Sequence, residues 1–406
     1  MASTNRPRTA LLLAPLLTAA LVGGGCQTAK MSPGGAQPEV AAAPTAPPAK
    51  PVEPGPAPSP APAPAPAEAA KPAPVEPAPA EPPAPQGLAA LTDEQKAAFL
   101  GGDEERIYSK REHFTISNEF RHDLWFPYVK DIGGVYIGVA SDQNYTLMAV
   151  ARSEYGYLID LDRQVVNLHR VYMALIARSP DPDTFLAHFE AKAVKSTRGV
   201  LEPALAELTP RDRSDALAFV EVNQKALYDY LKTVRNTKRG DQGVTWLADP
   251  AQYEYIRRMV ETGRLRPING NLLGKKAMAT IAASVTALGE QVGILYISNA
   301  EEYLYYTPQF AANVRALPVA ASGVALRTIH TRFEGWESAP GDWRWNWQVQ
   351  PLTDFQERLG DRKNISRNVM LERANKDGAI DRVARGVSMF KKQGATPTAA
   401  PAAPTG

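Results

Sequence analysis

Residues 133–170 constrain the fold of this chain more than any other stretch. Two short apolar runs, 135–140 and 157–161, are rich in Val, Ile and Tyr. They are too short for ordinary helices and are predicted to be buried strands. A polar turn and a helix over 145–153 separate them, and Asp162 precedes a second, amphipathic helix. This order of elements predicts the opening of a doubly wound α/β fold with a mostly parallel sheet.

Later strand patterns continue the same fold. Strands are predicted over 265–268, 292–297 and 323–329, with helices over 275–288 and 308–317 between them. Ligands of doubly wound folds bind beyond the carboxyl ends of such strands.

A stretch of alternating tryptophans follows. Over 343–349, Trp alternates with Arg, Asn and Gln, which predicts an antiparallel strand that closes the sheet. The tryptophans of this strand are interpreted as packing residues rather than as a platform on which a ligand stacks.

Residues 179–263 interrupt the alternation of strands and helices. Their apolar spacing is almost wholly helical, and Pro and Gly divide it into several segments. We predict a helical insertion, as a lid or subdomain, within one α/β domain that covers residues 87–392.

The N-terminus has the pattern of a targeting signal. Arg6 and Arg8 precede an apolar stretch over 10–22 that is too short to span a bilayer comfortably. Small residues and Cys26 follow, and Cys26 is the only cysteine of the chain. This arrangement resembles a bacterial lipoprotein signal peptide, residues 1–26, which implies lipidation of Cys26, palmitate included. Gln27 favours, by the same resemblance, an outer-membrane protein facing the periplasm. The alternative is a free thiol in a cleaved signal peptide.

Two other segments have a composition that cannot build a core. Half of the chain's 36 prolines lie between residues 41 and 90, mostly alternating with alanine. Residues 27–86 are therefore predicted to be a disordered, semi-rigid tether, and residues 393–406 a disordered tail.

Charge and motifs exclude several functions. The net charge of +2 makes no electrostatic case for a nucleic-acid partner. The chain has no Cys-x-x-Cys or His-Glu-x-x-His motif, and its five histidines are scattered, so no metal site is expected. The catalytic residues stay unassigned, and whether the chain is an enzyme is left open.

Polar residues collect at the predicted carboxyl ends of the strands. One interpretation is a ligand site, and the alternative is that loops are polar in any protein. Ser117, Asn118 and Glu119 lie just before the first strand, and here an N-cap is favoured over a ligand contact. The whole ring comprises Ser117, Asn118, Glu119, Ser141, Asp142, Gln143, Asn144, Asp160, Asp162, Asn269, Asn271, Ser298, Asn299, Glu301, Glu302 and His330.

The 133–170 unit resembles class I S-adenosylmethionine-dependent methyltransferases, which have a seven-stranded sheet. Asp160 matches the acidic residue that holds the ribose in that family, and Gly138 matches the first glycine of its loop. Tyr136 stands where an acid is expected, and Ala140 and Asp142 stand where further glycines are expected. Gly138 also has an alternative interpretation, a close backbone approach or bulge without a ligand.

The resemblance implies two sets of site residues. Asn271 matches a residue near the adenine, and Ser298 and Asn299 match the substrate-facing motif. The implied cofactor-binding set is Gly138, Ala140, Asp142, Gln143, Asn144, Asp160, Asp162, Asn271, Ser298, Asn299 and Glu301. The implied substrate or ligand set is Ser117, Asn118, Glu119, Glu302, Tyr303 and His330.

The export signal and the cofactor point to different compartments, because S-adenosylmethionine is made inside the cell. The chain is also similar to uncharacterised bacterial lipoproteins with the Gly-Val-Tyr-Ile-Gly-Val and Ser-Asn-Ala-Glu-Glu-Tyr patterns. Three hypotheses follow. The first is a methyltransferase-derived domain that binds another small ligand or an envelope partner. The second is an active methyltransferase, and the third is an envelope structural or interaction protein that uses residues 179–263.

Overall fold

The computed structural model describes residues 88–107, 113–333 and 335–391. Cys26, the predicted tether and the predicted tail lie outside the described residues. The described residues contain no helix that is long and apolar enough to cross a membrane.

Within these residues one sheet of eight strands and one small hairpin are present. The sheet strands are β1 (Val135–Gly138), β2 (Tyr155–Asp160), β5 (Leu265–Asn269), β6 (Val292–Ser298), β7 (Val319–His330), β8 (Trp345–Pro351), β9 (Ile380–Ala384) and β10 (Val387–Phe390). The hairpin consists of β3 (Lys238–Arg239) and β4 (Gln242–Gly243).

The order of the strands confirms a mostly parallel α/β sheet. It runs β5-β2-β1-β6-β7-β8-β10-β9, and the first five strands are mutually parallel. In chain order these five occupy positions 3-2-1-4-5, which is the order of a doubly wound sheet. β8 runs antiparallel to β7 and parallel to β10, and β9 runs antiparallel to β10. The sheet has eight strands where seven were expected, because two strands, β10 and β9, rather than one lie beyond β8.

Twelve α-helices and three short 3-10 helices surround the sheet in the described parts of the chain. The α-helices are α1 (Asp93–Leu100), α2 (Phe126–Val129), α3 (Gln143–Ala151), α4 (Arg163–Ile176), α5 (Pro182–Ala187), α6 (Val194–Ala204), α7 (Pro210–Arg235), α8 (Pro250–Glu261), α9 (Ala277–Ala287), α10 (Pro308–Arg315), α11 (Leu352–Gly360) and α12 (Arg367–Lys376). The 3-10 helices are His122–Trp125, Ala191–Ala193 and Ala300–Tyr303.

Side chains alternate between two hydrophobic cores, one on each face of the sheet. Along β1, Tyr136 belongs to the core that α3, α4 and α8 cover, whereas Val135 and Ile137 belong to the core under α9, α10 and α11. Every residue of β6 is buried, as expected for a parallel strand covered on both faces. Burial of each large apolar side chain stabilises the fold by about 1.5–3 kcal/mol. The buried central strands therefore hold the sheet edge at which they end in a fixed position.

Residues 179–263 contain α5 to α8 and the small hairpin. Three of these helices begin with the same sequence device, an N-cap Asp or Thr followed by proline at the first helical position. Asp181, Thr209 and Asp249 each accept a hydrogen bond from a backbone amide one turn into the helix. Trp246, between the hairpin and α8, is fully buried, and its ring lies 5.0 Å from Tyr145 of α3. The insertion therefore contributes to the first core.

The tryptophan-rich strand begins later than the sequence predicted. β8 starts at Trp345, and both of its faces are buried. Trp345 and Trp347 pack inside, whereas Trp343 lies before the strand with 75 % of its surface exposed. The packing interpretation therefore holds for two of the three tryptophans and is wrong for Trp343.

Candidate ligand site at the carboxyl edge of the sheet

The five parallel strands end along one edge of the sheet. β1, β2, β5, β6 and β7 end at Gly138, Asp160, Asn269, Ser298 and His330. The polar ring inferred from the sequence follows these strand ends, so the fold brings it to the edge where doubly wound proteins bind ligands. The contacts of each residue then decide which groups a ligand could reach.

Gly138 is packed against side chains of its own chain. A Cβ added there would overlap Oδ1 of Asn144 and lie 2.6 Å from Cε1 of Tyr136. Asn144 accepts a hydrogen bond of 2.8 Å from the Tyr136 hydroxyl and donates one of 2.8 Å to the carbonyl of Val139. The absence of a side chain at Gly138 therefore makes room for Asn144.

The backbone turns sharply after β1 and again at the end of β6. Ala140 has φ of 66° and Ser298 has φ of 54°, which is the left-handed region that only glycine adopts without strain. The ring of His169 holds the first turn, since its Nε2 lies 2.8 Å from the carbonyl oxygen of Ala140. Its Nδ1 lies 2.8 Å from the hydroxyl of Tyr145. Nε2 must donate to the carbonyl, and burial lowers the pKa of His169 to about 4. At neutral pH the ring is therefore neutral, and Nδ1 accepts from the tyrosine.

Asp142 is buried beneath the insertion. It accepts hydrogen bonds of 2.9 Å from the indole nitrogen of Trp246 and 2.7 Å from the hydroxyl of Tyr230. Burial raises the pKa of Asp142, and these two hydrogen bonds offset part of that effect. With 1 % of its surface exposed, Asp142 fixes the insertion to the β1 loop.

Asp160 and Asp162 organise the end of β2. Asp160 accepts hydrogen bonds from the backbone amides of Ala140 (3.0 Å) and Asp162 (2.8 Å). Burial raises the pKa of Asp160 to about 6, although the backbone amides act in the opposite direction. Asp162 caps α4 through the amide of Gln164 at 2.9 Å, and its other oxygen lies 2.6 Å from Nδ1 of His113. Both oxygens of Asp160 therefore serve the chain's own backbone.

The loop after β5 is held by Glu105. The carboxylate of Glu105 accepts hydrogen bonds from the amides of Asn271 (3.3 Å) and Lys276 (2.8 Å) at the start of α9. A negative charge is favourable at a helix N-terminus. The side chain of Asn271 accepts a hydrogen bond of 2.9 Å from the amide of Leu273. Asn271 thus shapes its own loop and stays partly exposed.

Ser117 and Asn118 do not cap a helix, so the N-cap interpretation is wrong. The hydroxyl of Ser117 accepts a hydrogen bond of 3.0 Å from the amide of Glu119, which closes a local turn. The 3-10 helix begins later, and its N-cap residue Arg121 makes no side-chain capping bond. Asn118 is exposed, and its carbonyl accepts a hydrogen bond of 3.2 Å from the indole of Trp345.

Glu119 lies at the centre of a buried polar cluster beneath the edge. Its carboxylate accepts hydrogen bonds of 2.6 Å from Ser298, 2.6 Å from Thr328 and 2.7 Å from Tyr296. Nε2 of His122 lies 3.4 Å from the same carboxylate. Burial raises the pKa of Glu119, but His122 and the hydroxyl donors outweigh it and lower the pKa overall.

The amide of Gln143 belongs to the same cluster. It donates a hydrogen bond of 3.1 Å to the hydroxyl of Tyr296. Its Oε1 and Nε1 of Trp125 are buried and have no hydrogen-bond partner in the described chain. Gln143 and Glu119 therefore interact with the protein interior.

The two glutamates after β6 are held in ion pairs. Glu301 is 2.6 Å from Nε of Arg327, and neither side chain has exposed surface. Glu302 bonds Arg332 at 3.2 Å and Arg367 at 3.3 Å, and 3 % of its side chain is exposed. Asn299, between Ser298 and these glutamates, is partly exposed.

Exposed large apolar side chains surround the same edge. Leu161 follows β2, Tyr303 and Tyr305 follow β6, and Trp343 lies in the loop between β7 and β8. Tyr303, Tyr305 and Trp343 have 73–78 % of their surface exposed. Concentrated exposed apolar surface marks a binding site more often than scattered single residues do. The other exposed large apolar side chains near this edge are Phe114, Ile116, Phe120 and Ile365.

His330, a predicted site residue at the end of β7, is partly exposed. Its ring packs edge-on against Trp345 at 5.3 Å, and its Nδ1 accepts a hydrogen bond of 3.0 Å from the amide of Arg332. Arg344 lies over the ring of Trp343 at 4.3 Å. Our sequence interpretation missed Arg332, Trp343 and Arg344 as site residues. The Trp343-Arg344 pair directly before β8 was the available signal, but the alternation of tryptophans over 343–349 predicts that Trp343 belongs to the strand.

The described residues contain no group of three His, Cys, Asp or Glu side chains that could hold a metal ion.

Comparison with known proteins gives a family without an assigned activity. The model of a family described as a domain of unknown function (DUF7790) matches residues 114–391, which is more than half of the chain. No curated protein matches the chain.

Proposed function

We propose that this chain, which belongs to the DUF7790 family, is an envelope-anchored lipoprotein that binds a small ligand or a partner at the carboxyl edge of its sheet. Cys26 would carry the lipid, and residues 27–86 would place the domain away from the membrane. The observation that carries the proposal is the concentration of exposed aromatic side chains at this edge, represented by Tyr303, Tyr305 and Trp343.

The contrast between buried and exposed polar groups supports binding rather than catalysis. Glu119 and Asp142 have at most 2 % of their surface exposed and accept hydrogen bonds from hydroxyl and indole donors. Both oxygens of Asp160 accept hydrogen bonds from backbone amides. A general base must reach the proton that it removes. His330 and Asn118 are more accessible, and they lie beside the aromatic side chains.

We also propose that the domain is methyltransferase-like in origin. The strand order 3-2-1-4-5, the acid at the end of β2 and the antiparallel β8 beside β7 support this origin. A shared fold does not fix a shared function.

The residues at the β1 loop do not fit S-adenosylmethionine. In a cofactor loop, glycine allows the ligand to approach the backbone closely, but the space beside Gly138 is filled by Asn144. Both oxygens of Asp160 already accept backbone hydrogen bonds. An active methyltransferase is therefore not favoured. Calorimetry of the full chain with S-adenosylmethionine tests this point, and micromolar binding would contradict our interpretation.

Hydroxyl-radical footprinting of the full chain tests the proposed function. Labelling of Tyr303, Tyr305 and Trp343 is compared between the purified protein and intact envelope fractions. Tyr228 on α7, which is partly exposed elsewhere, is the internal control. We expect the three edge residues to be labelled at least threefold less in envelopes, with unchanged labelling of Tyr228.

Each other result has a defined meaning. Equal labelling of the edge residues in both samples would show that nothing binds there and would overturn the proposal. Equal protection of Tyr228 would indicate general shielding by the membrane and would also count against a site at the edge.

A further inference from the structure

Four residues near the end of β7 and the start of β8 form a group that we name the His330 face. Its members are His330, Arg332, Trp343 and Arg344. The guanidinium carbon of Arg344 lies 4.3 Å from the ring centre of Trp343 and 5.9 Å from that of Trp345. The ring of His330 lies 5.3 Å from that of Trp345. Buried Trp345 therefore holds a histidine and an arginine beside an exposed indole.

The protonation of His330 is fixed by its neighbours. Nδ1 accepts the amide hydrogen bond of Arg332, so the proton of the neutral ring is on Nε2. In the described residues Nε2 has no hydrogen-bond partner. Burial and the charges of Arg332 and Arg344 lower the pKa of His330, while Glu302 acts in the opposite direction. His330 is thus a neutral donor in a surrounding that already carries positive charge.

The charges around this face leave one cation in excess. Glu302 is shared by Arg332 and the buried Arg367. The carboxylate of Asp342 accepts a hydrogen bond of 3.0 Å from the backbone amide of Arg344 and forms no ion pair with the guanidinium of Arg344. Within the described chain Arg344 forms no ion pair, so three arginines face two carboxylates. The surplus of one charge suits a monoanion better than a dianionic phosphate.

The exposed indole of Trp343 narrows the chemical class of the ligand further. Arg344 lies over the ring of Trp343, and 75 % of this tryptophan is still accessible. The C–H face of a pyranose ring packs well on a flat indole. An arginine fork and an imidazole N–H beside it can both donate to a carboxylate.

We infer that the His330 face binds a sugar that carries a carboxylate. This inference rests on the proposed function and names the ligand class for the same edge. Trp343 would stack on the ring of the sugar, and Arg344 and Nε2 of His330 would bind its carboxylate. Arg332 would position His330 through the backbone hydrogen bond.

The test uses two disaccharides that differ in the carboxylate. The first probe is β-1,4-linked N-acetylglucosamine–N-acetylmuramic acid, whose lactyl group carries the charge, and the second is the neutral N-acetylglucosamine disaccharide. Binding to the full chain is measured by calorimetry at low and at physiological salt. We expect the anionic probe to bind at least tenfold more tightly, and the preference to shrink as salt rises.

Two variants and one control assign the site. Arg344→Gln should remove most of the preference for the anionic probe, and Trp343→Ala should weaken both probes by a similar factor. Arg178→Gln is the matched control, because Arg178 is exposed just after the C-terminal end of α4, away from the strand ends that precede this helix. Arg178→Gln should change neither Kd by more than twofold. Thermal unfolding of each variant shows that its fold is retained.

A separate signal reports the contact with His330. Binding of a carboxylate should raise the pKa of His330, which is measured by NMR titration of its ring protons with and without the anionic probe. A merely structural role for His330 would leave its pKa unchanged.

Several results would overturn the inference. Equal affinity for both disaccharides, or an unchanged preference in Arg344→Gln, would exclude carboxylate recognition. Tighter binding of N-acetylglucosamine 1-phosphate or of a single-stranded oligonucleotide would assign the face to phosphate. If the footprinting experiment shows protection but neither disaccharide binds, this inference fails while the proposed function stands.

Discussion

The carboxylate of Glu301 and the guanidinium of Arg327 form an ion pair of 2.6 Å from which solvent is completely excluded. The hydroxyl of Tyr306 donates to the same carboxylate, and Gln348 accepts a hydrogen bond of 3.0 Å from Nη1 of Arg327. The pair joins the segment after β6 to β7 and β8. It therefore ties together the part of the edge that carries His330 and Trp343.

Removing one member of this pair should destabilise the protein strongly. Glu301→Gln leaves the charge of Arg327 buried without a counter-charge, and Arg327→Met does the same to Glu301. Loss of one partner from a buried ion pair costs about 3–5 kcal/mol. We expect each single variant to lose this much free energy of unfolding, measured by urea denaturation.

The double variant and an exposed pair provide the controls. Glu301→Gln combined with Arg327→Met should lose less than the sum of the single changes, since neither charge remains. Lys225 and Asp229 form an exposed pair on α7, and Asp229→Asn should cost about 0.5 kcal/mol or less. Comparable losses in Glu301→Gln and Asp229→Asn would contradict the structural role of the buried pair.

The order of elements could be predicted because apolar runs and helical spacing are local. The strands at 135–140, 157–161 and 292–297 were expected within two or three residues of β1, β2 and β6. β9 and β10 were missed. β9 is an edge strand in which only Ile380 is buried. Its charged residues Asp381 and Arg382 interrupt the apolar sequence by which a strand is recognised. Edge strands need less apolar sequence than central ones.

The candidate site was harder to predict from the sequence than the fold, because the hydrogen-bond partners of its polar residues are distant along the chain. The sequence predicts that Glu119 and Glu301 contact a ligand. In the fold, Glu119 accepts a hydrogen bond from Thr328, and Glu301 forms an ion pair with Arg327. A sequence pattern does not distinguish an acid that awaits a ligand from an acid that is satisfied by a remote side chain. Trp343 differs from Trp345 only in lying outside the strand, which the period-2 pattern does not reveal.

Gly138→Ala should destabilise the protein rather than impair ligand binding. The new methyl group would overlap Asn144 and crowd Tyr136. Overpacking of this kind costs about 1–3 kcal/mol. Gly199 on α6 is the matched control, because nothing lies near its added Cβ. Gly199→Ala should be neutral or stabilise by about 0.5–1 kcal/mol. An unchanged midpoint in Gly138→Ala would show that Asn144 does not need this space.

His169 should make the protein less stable as the pH falls. Burial lowers the pKa of His169 from 6.5 to about 4, and the bond to Ala140 only partly opposes this. Above pH 6.5 both the folded and the unfolded ring are neutral, so His169 adds no pH dependence there. Between pH 6.5 and about 4 only the unfolded chain takes up the proton, which lowers the free energy of unfolding by about 3 kcal/mol in total. His169→Gln should remove this dependence in urea denaturation at pH 7, 6, 5 and 4.

Asp160 should give a dependence of opposite sign in the same experiment. Burial raises its pKa from 3.8 to about 6, so the folded state binds the proton more tightly than the unfolded chain. The resulting stabilisation is complete below pH 3.8 and is lost as the pH rises through 6. The free energy of unfolding of Asp160→Asn, relative to that of the unchanged protein, should therefore be higher at pH 7 than at pH 4. Parallel pH profiles for His169→Gln and Asp160→Asn would contradict both assignments.

Cys26→Ser should release the protein from the membrane without changing the stability of the domain. Cys26 is more than sixty residues before α1, and the chain has no second cysteine, so no disulfide is lost. Stable attachment needs two or more acyl chains, and each buried methylene contributes about 0.8 kcal/mol. Serine lacks the thiol that would carry them. Recovery in membrane fractions after a high-pH wash and the thermal midpoint are measured, together with the mass of the chain, since an uncleaved leader could anchor the protein by itself. A serine variant of mature length that stays membrane-bound would show that lipid on Cys26 is not the anchor.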